Sequence, residues 1–508
     1  MSIASLLATA TFAPVTASYA ADYNVAPNDA TSLKNAVSSA QSVGDRVLIP
    51  PGEYFIDSAL DVRPGVTVEG TDAGDRPRLY PTFTATDDEA VQISNFTSYS
   101  EYGGTIQLFY ANNQPRNIPN PDGNNTLRPG WDRSLNAGLF NVDKGTSTDQ
   151  NVFRNLVING RRRTNGGDRS APAGIIVRSA PYYKSQDNPG EGPAGGNTLI
   201  ENIEFLEFRG AAVFFNGGKD HEVRNSSFRN NGFGEGVLLD LGTNNDASSG
   251  AITYQFVYDS SFHNNTFFTD RLAEGFGIKQ GGAYNRDIDI YENDFDLYDS
   301  QAYNGSGQNS GSNGVANDGA PNFDLEIFGG FSEVRIVNNV FRHVISLVGG
   351  GGPGGYAVEV KGNNRWYDVN GLLHGIELRS DNTLIDGNEF NGSGAFIKEF
   401  GGEKNGCTIT NNRIFGAGSF INFNGLGRDF FIAYNTVRLG ESELTTFSGP
   451  DPVFETSTIF RISGSGSNNW YVQDNRFEAP AGFSRPFLIG NYPTSFNEFG
   501  NTLIDIYF

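Results

Sequence analysis

Along most of the chain, apolar and polar residues alternate in runs of four to six broken by Gly, Pro or Asn, the pattern of short half-buried β-strands separated by tight corners. Residues 45–56 and 60–70 are the first such strands, parted by Pro-Gly corners. Ahead of them, residues 28–42 carry apolar positions at Leu33, Ala36, Val37 and Ala40. That spacing predicts a short amphipathic helix capped by Asp29 or Thr31, placed to plug one end of a stack of strands.

From about residue 150 a corner motif of the form Asn-x-Phe recurs, beginning at Asn202, Asn225, Asn265, Asn293, Asn339, Asn388, Asn412, Asn435 and Asn475. Asn202 and Asn225 are 23 residues apart, Asn388 and Asn412 are 24, and Asn412 and Asn435 are 23. A strand before each Asn and an apolar residue after it, at this period, predict an all-β, right-handed parallel β-helix with a short N-terminal cap helix. The gap of 49 residues between Asn339 and Asn388 predicts two coils. Asn tolerates a left-handed corner, and stacked Asn side chains hydrogen-bond along the axis. Residues 97–135, 160–197, 298–322, 345–356 and 440–456 break the period and read as loops that wall a groove.

The 64 Gly, 40 Phe and 21 Tyr, with only 37% hydrophobic residues, strengthen the all-β reading. Residues 1–20 form an apolar, small-residue stretch ending in Ser18-Tyr-Ala20, which reads as a signal peptide. Residues 21–508 then form a single β-helix domain, secreted or periplasmic. A lone cysteine, Cys407, excludes an intrachain disulfide and reads as a buried thiol. No later run has the apolar length of a membrane span, so no membrane partner is expected. A formal charge of −22 argues against nucleic acid. It also sets a condition on any anionic substrate, which would need a locally basic groove.

Laid in columns by their apolar neighbours, the strands give an outward series of Arg178, Asp240, Lys279, Glu326, Glu377, Lys398, Asn422 and Arg461. Successive coils lie about 4.8 Å apart, so these acids and bases interact directly, as a sugar-binding floor or as a solvated ion-pair ladder. Tyr182 and Lys219 emerge at similar corners of consecutive coils, with His221 two residues on. A Tyr–Lys pair fits β-elimination, which takes the C5 proton of a uronate and protonates the leaving O4. Like charge from Arg178 and Lys279 would lower the lysine pKa. The alternative for each is a loop residue without chemistry.

The cap helix followed by the Ile-Pro-Pro-Gly-x-Tyr run at residues 49–54 resembles the opening coils of β-helix enzymes and phage tailspikes. Residues 175–221 on this architecture resemble the metal-independent β-helix alginate lyases. That resemblance implies Lys219 as base and Tyr182 as acid, or the reverse, with Arg178 and His221 neutralising the uronate carboxylate. The outward column would then supply Asp240, Lys279, Glu326 and Glu377 as substrate-binding residues for an acidic polysaccharide, and no cofactor is expected. The calcium-dependent lyases differ, because their Arg-His-Gly context is only approximated at residues 375–380 and 397–402. Asp287 and Asp289 are the metal-capable carboxylates in one strand, and no essential metal is expected. Two other functions stay open: a glycoside hydrolase using two of Asp240, Glu326 and Glu377, and a non-catalytic binding solenoid.

Overall fold

The computed structural model describes residues 20–82, 138–160, 173–179, 195–208, 211–231, 250–268, 276–280, 285–297, 323–329, 332–342, 344–349, 356, 358–369, 374–392, 394–399, 403–423, 425–440, 444–446, 453–455, 458–462, 466–480, 488–490 and 493–506. Residues 1–19, with most of the predicted leader, fall outside it, as do Tyr182 and Asp240.

Each coil contributes three strands, and equivalent strands of successive coils pair in parallel to make three ladders. The first runs from Leu60–Asp61 through Gly138–Gly145, Ala173–Ser179 and Phe276–Gln280 to Leu488–Gly490. The second runs from Asp22–Asn24 to Phe496–Phe499, and the third from Glu53–Ile56 to Thr502–Ile506. Among the described residues the single antiparallel pair is Leu444–Thr446 with Val453–Glu455, lying in the insertion between coils. The chain is a parallel β-helix, as its period predicts.

One continuous apolar core fills the solenoid from Val25 to Ala479. The predicted helix spans Ala30–Ser39 and is capped by Asp29, whose side chain accepts from the Ser32 N–H. It buries Leu33, Ala36 and Val37 against the first strands.

The corner between the second and third ladders explains the period. An asparagine ladder runs inside it, each Nδ2 donating to the next Oδ1 from Asn265 through Asn293, Asn339, Asn364, Asn388, Asn412, Asn435 and Asn475 to Asn501, at 2.9–3.1 Å. Asn364 supplies the coil hidden in the 49-residue gap. The left-handed residue is the one before each ladder position, as at Asn264, Asn338, Asn363 and Asn411. Asn202 and Asn225 hold that preceding place, with φ of 52° and 51°, so their interior partners are Ile203 and Ser226. Two residues after the ladder position an apolar side chain turns inward, aromatic through the first part of the solenoid, where Phe205, Phe228, Phe267, Phe295, Phe341 and Trp366 follow one another with ring centroids 4.6–5.2 Å apart, and Ile414 and Val437 after Asn412 and Asn435. The Asn satisfies the corner's buried backbone groups and that side chain fills the space beneath it.

Two of the expected loops contain strands of the first ladder. Ala173–Ser179 lies within 160–197, and Val344–Gly349 overlaps 345–356. In the second case Ile345 and Leu347 point inward and fix the strand, while the glycines that follow belong to the connection. Residues 83–137, 161–172, 232–249, 298–322 and 441–457 lead into the first ladder, and 180–194 and 350–357 lead out of it. From Arg224 onward the turn from the second ladder to the third takes two or three residues.

Candidate functional site on the first ladder

A local irregularity sets which side chains the first ladder presents. In its strands two consecutive residues point into the core, as at Phe396 with Ile397, Phe420 with Ile421 and Ile459 with Phe460. The residues on either side therefore face outward. Where the first inward place is Gly, as at Gly277 and Gly375, an added Cβ would meet the ring of Phe295 or Phe390.

Strand register places Lys279, Glu326, Ser346, Glu377, Lys398, Asn422 and Arg461 side by side in seven consecutive coils. This outward column is nevertheless largely removed from solvent. The side chains of Lys279 and Glu326 are 10% and 16% exposed, that of Glu377 is 4%, and Ser346 and Asn422 are 2% and 3% exposed. On the second ladder the Arg335–Asp289 pair keeps 45% and 39% exposure, as an ordinary surface pair does. Lys279 Nζ lies 3.0 Å from Glu326 Oε2.

Glu377 is the most heavily engaged group. Arg379, two residues on, pairs with its Oε1, and His374 Nε2, three residues before it, lies 3.7 Å from its Oε2. Lys398 occupies the next coil, in register with Glu377. Burial lowers the pKa of Lys398, opposed by the charge of Glu377. It lowers that of His374 as well, again opposed by Glu377. Both bases are pushed toward their neutral forms. Burial also lowers the pKa of Arg461, which stays a cation. Among the described residues of this outward face Lys279, Arg379 and Arg461, with Lys398 when protonated, stand against two carboxylates, Glu326 and Glu377. The excess is positive on a chain whose formal charge is −22.

The structure corrects four readings. Arg178 pairs in register with Asn216, and the residue of its strand that aligns with Lys279 is Ile176, through Phe214 and Thr253. Alternation keeps Arg178 on the outer face but two residues along, 3.4 Å from Asp143. Lys219 lies past the Gly217–Gly218 corner, at the start of the second ladder, where it pairs with Tyr258 and Gly196. Its Nζ is 3.2 Å from Asp220 Oδ2, so its surroundings are acidic rather than cationic. His221 points inward, 1% exposed, with its ring stacked on Phe215 and its Nε2 3.1 Å from the Gly217 carbonyl. Burial pushes its pKa down to about 3, which suits a neutral core histidine rather than a carboxylate binder. Asp287 and Asp289 pair with Arg286 and Arg335, and the described residues hold no group of three metal-capable side chains. Cys407 is fully buried and its thiol is pushed up to about 12.

Sequence reading missed His374, Arg379 and Ser346 as members of this face. His374 opens the five-residue strand His374–Leu378 that also carries Glu377, Arg379 follows directly after it, and the doubled inward step hides their shared side.

No family model matches the chain, and no curated protein matches it. Among solved structures it is similar to the A-module of a mannuronan C-5 epimerase from Azotobacter vinelandii, with 15% identity over 94% of this chain and 96% of that one, at a TM-score of 0.43. It is also similar to a tailspike protein of the Escherichia coli bacteriophage HK620 in complex with a hexasaccharide, with 10% identity over 94% and 75% of the two chains and a TM-score of 0.48. DFA-IIIase from Arthrobacter chlorophenolicus A6, without its lid, shares 10% identity over 83% and 92%, with a TM-score of 0.43.

Proposed function

We propose that the protein binds an acidic polysaccharide along the outer face of the first ladder and cleaves it by β-elimination, with the chemistry centred on His374, Glu377, Arg379 and Lys398. One observation carries this reading: among the described residues, the outward face of the first ladder holds a largely buried charged column and, with Arg379 beside it, more cations than carboxylates in a strongly acidic chain. A low-dielectric basic groove concentrates an anionic ligand against an unfavourable global field.

Elimination needs a base for the C5 proton and cations for the carboxylate that makes this proton acidic. Lys398 and His374 are bases drawn toward neutrality by burial, and Arg379 and Arg461 are the cations. In this role Lys398 takes the C5 proton, the C4–O4 bond breaks as the C4=C5 double bond forms, and the proton returns from Lys398 to the leaving O4, while Arg379 neutralises the uronate carboxylate and Glu377 positions both. Hydrolysis through Glu326 and Glu377 is the second reading. Two coils separate them, about 10 Å at the backbone, near the inverting spacing. Each is already engaged by a cation, Lys279 or Arg379, so neither is presented as a proton donor.

The test is steady-state turnover of uronate polymers by Lys398→Ala, Glu377→Gln and Lys219→Ala. A missing general base costs about 10²- to 10⁴-fold, so Lys398→Ala should fall by that range in kcat while Lys219→Ala stays near wild type. Retained activity in Lys398→Ala, with loss in Lys219→Ala, would return the chemistry to the corner between the first two ladders. Export of the protein, with residues 1–20 removed as a leader, is part of the same proposal. Mass spectrometry of exported protein that still carries Met1 would refute it.

A further inference from the structure

Cations also gather on the outward face of the third ladder, toward the C-terminal end of the solenoid. We propose that this face is a second binding surface for the acidic polysaccharide, holding the polymer on the solenoid away from the groove. The choice of polymer rests on the reading above, whereas the surface itself uses no group of the groove.

Register sets the arrangement. Arg365 aligns with Glu389, Glu389 with Arg413, Arg413 with Thr436, Thr436 with Arg476, and Arg476 with Thr502. Arginine therefore returns at every second coil, about 10 Å apart along the axis. Alternation puts these residues outside, since Trp366, Phe390, Ile414, Val437 and Phe477 beside them are fully buried. All three arginines are exposed, and the side chains of Arg413 and Arg476 keep 65% and 57% exposure. A second outward column, two residues along, holds Phe415, Arg438 and Glu478 in register.

An ordinary ladder of ion pairs is the competing account, and the second ladder shows its geometry. There Arg224 meets Glu201 at 2.8 Å, Arg286 meets Glu333 at 2.9 Å and Arg428 meets Glu403 at 2.8 Å, each pair joining neighbouring coils. On the third ladder the corresponding contacts are missing or loose. Arg413 Nη1 stops 4.0 Å from Glu389 Oε2. Arg476 has Thr436 and Thr502 on either side and pairs with Glu478 of its own strand. Arg365 makes no ion pair or hydrogen bond among the described residues.

Arg413 instead lies over the Phe415 ring, 5.5 Å from its centroid, which steadies the guanidinium while leaving it exposed. Tyr434, on the corner two residues before Thr436, is 53% exposed. Guanidinium groups for carboxylates and aromatic faces for the apolar side of a sugar ring are what a charged glycan requires. With Arg438, four cations stand against Glu389 and Glu478 among the described residues of this face, in a chain of formal charge −22. A pyranose unit is about as long as one coil is high, so a chain lying along the axis brings every second unit to an arginine. In a uronate chain with two-fold screw symmetry, successive carboxylates point to opposite sides, and those of one side meet the three arginines.

The experiment is arginine footprinting: the rate at which phenylglyoxal modifies each arginine, read by peptide mass spectrometry, with rising concentrations of a uronate hexasaccharide. Modification of Arg365, Arg413 and Arg476 should slow along one binding curve, about tenfold at ten times the dissociation constant. Arg335, exposed on the second ladder, should not slow. Arg413→Gln should reduce the protection of Arg365 and Arg476 by about twofold or more, the worth of an exposed charge contact. Hexaglutamate should protect all three less than the hexasaccharide does. Unslowed modification of the three arginines would overturn the proposal, as would equal slowing at Arg335 or equal protection by hexaglutamate, which would reduce the face to a general anion surface. Arg379 reports on the groove in the same digest. Protection of the third-ladder arginines without Arg379 would refute the groove and leave this surface standing, and protection of Arg379 alone would do the reverse.

Discussion

Replacing Asn388 by Ala removes one link of the buried asparagine ladder, and the structure sets the size of the effect. The Asn388 Nδ2 donates to the Val360 carbonyl at 2.8 Å and to Asn412 Oδ1 at 3.0 Å, and its Oδ1 accepts from Asn364 Nδ2 at 2.9 Å. Three buried hydrogen bonds disappear, each worth a net ~0.5–1.5 kcal/mol, so the loss should be about 2–4 kcal/mol. Asn388→Asp keeps the acceptor but faces a carboxylate toward Asn412 Oδ1 and the Val360 carbonyl, so it should cost at least as much. Urea unfolding followed by the fluorescence of Trp366, which is fully buried in the adjacent coil, reads this region directly. Far-ultraviolet circular dichroism should move with it if the solenoid unfolds as one unit, and should lag if coils separate. A loss under about 1 kcal/mol for Asn388→Ala, or full tolerance of Asn388→Asp, would refute the view that the ladder holds the corner.

Three further outcomes follow from single sites. The pKa of His221 is about 3 in the folded chain and near 6.5 when unfolded, so the unfolded state binds the proton first; stability present above pH 6.5 should be lost as pH falls toward 3, and acid titration of His221→Phe should show a shallower loss. A Cβ at Gly277 would lie 2.6 Å from the Phe295 ring and 2.7 Å from the Asp324 carbonyl, against 3.0 Å at the nearest for Gly375, so Gly277→Ala should lower Tm more than Gly375→Ala. If Lys398 is the base, kcat should rise with pH through a limb below the ordinary lysine range near 10.5, and Lys398→Arg should lose that limb; an unchanged profile would exclude Lys398.

How much of this was legible in the sequence differs between corner and face. From Asn265 onward the corner repeats because one small amide satisfies the same backbone groups in each coil, which leaves the Asn motif readable at the residue level. Asn364 escaped because its coil carries Trp366 where the recognised coils carry Phe, Ile or Val, although the ring fills the same place. The outward column from Lys279 to Arg461 was also readable, since each member adjoins inward Ile, Leu or Phe. Ser346 was lost to the glycines after its strand. Arg178 slipped by two places because alternation is silent about register, which the pairing of Ile176 with Phe214 decides. Lys219 and His221 misled for a related reason: the Gly217–Gly218 corner turns the chain onto the second ladder, where alternation restarts with His221 inside.

The most direct test of the groove and its chemistry is to incubate the wild-type protein with a panel of uronate polymers and neutral polysaccharides, following the ultraviolet absorbance of the unsaturated uronate and the reducing ends in parallel. Elimination in the first-ladder groove predicts that both signals rise together on at least one acidic polymer and that neither rises on the neutral ones. Reducing ends without the unsaturated product would contradict elimination, and turnover of a neutral polysaccharide in preference to every acidic one would contradict the basic groove itself.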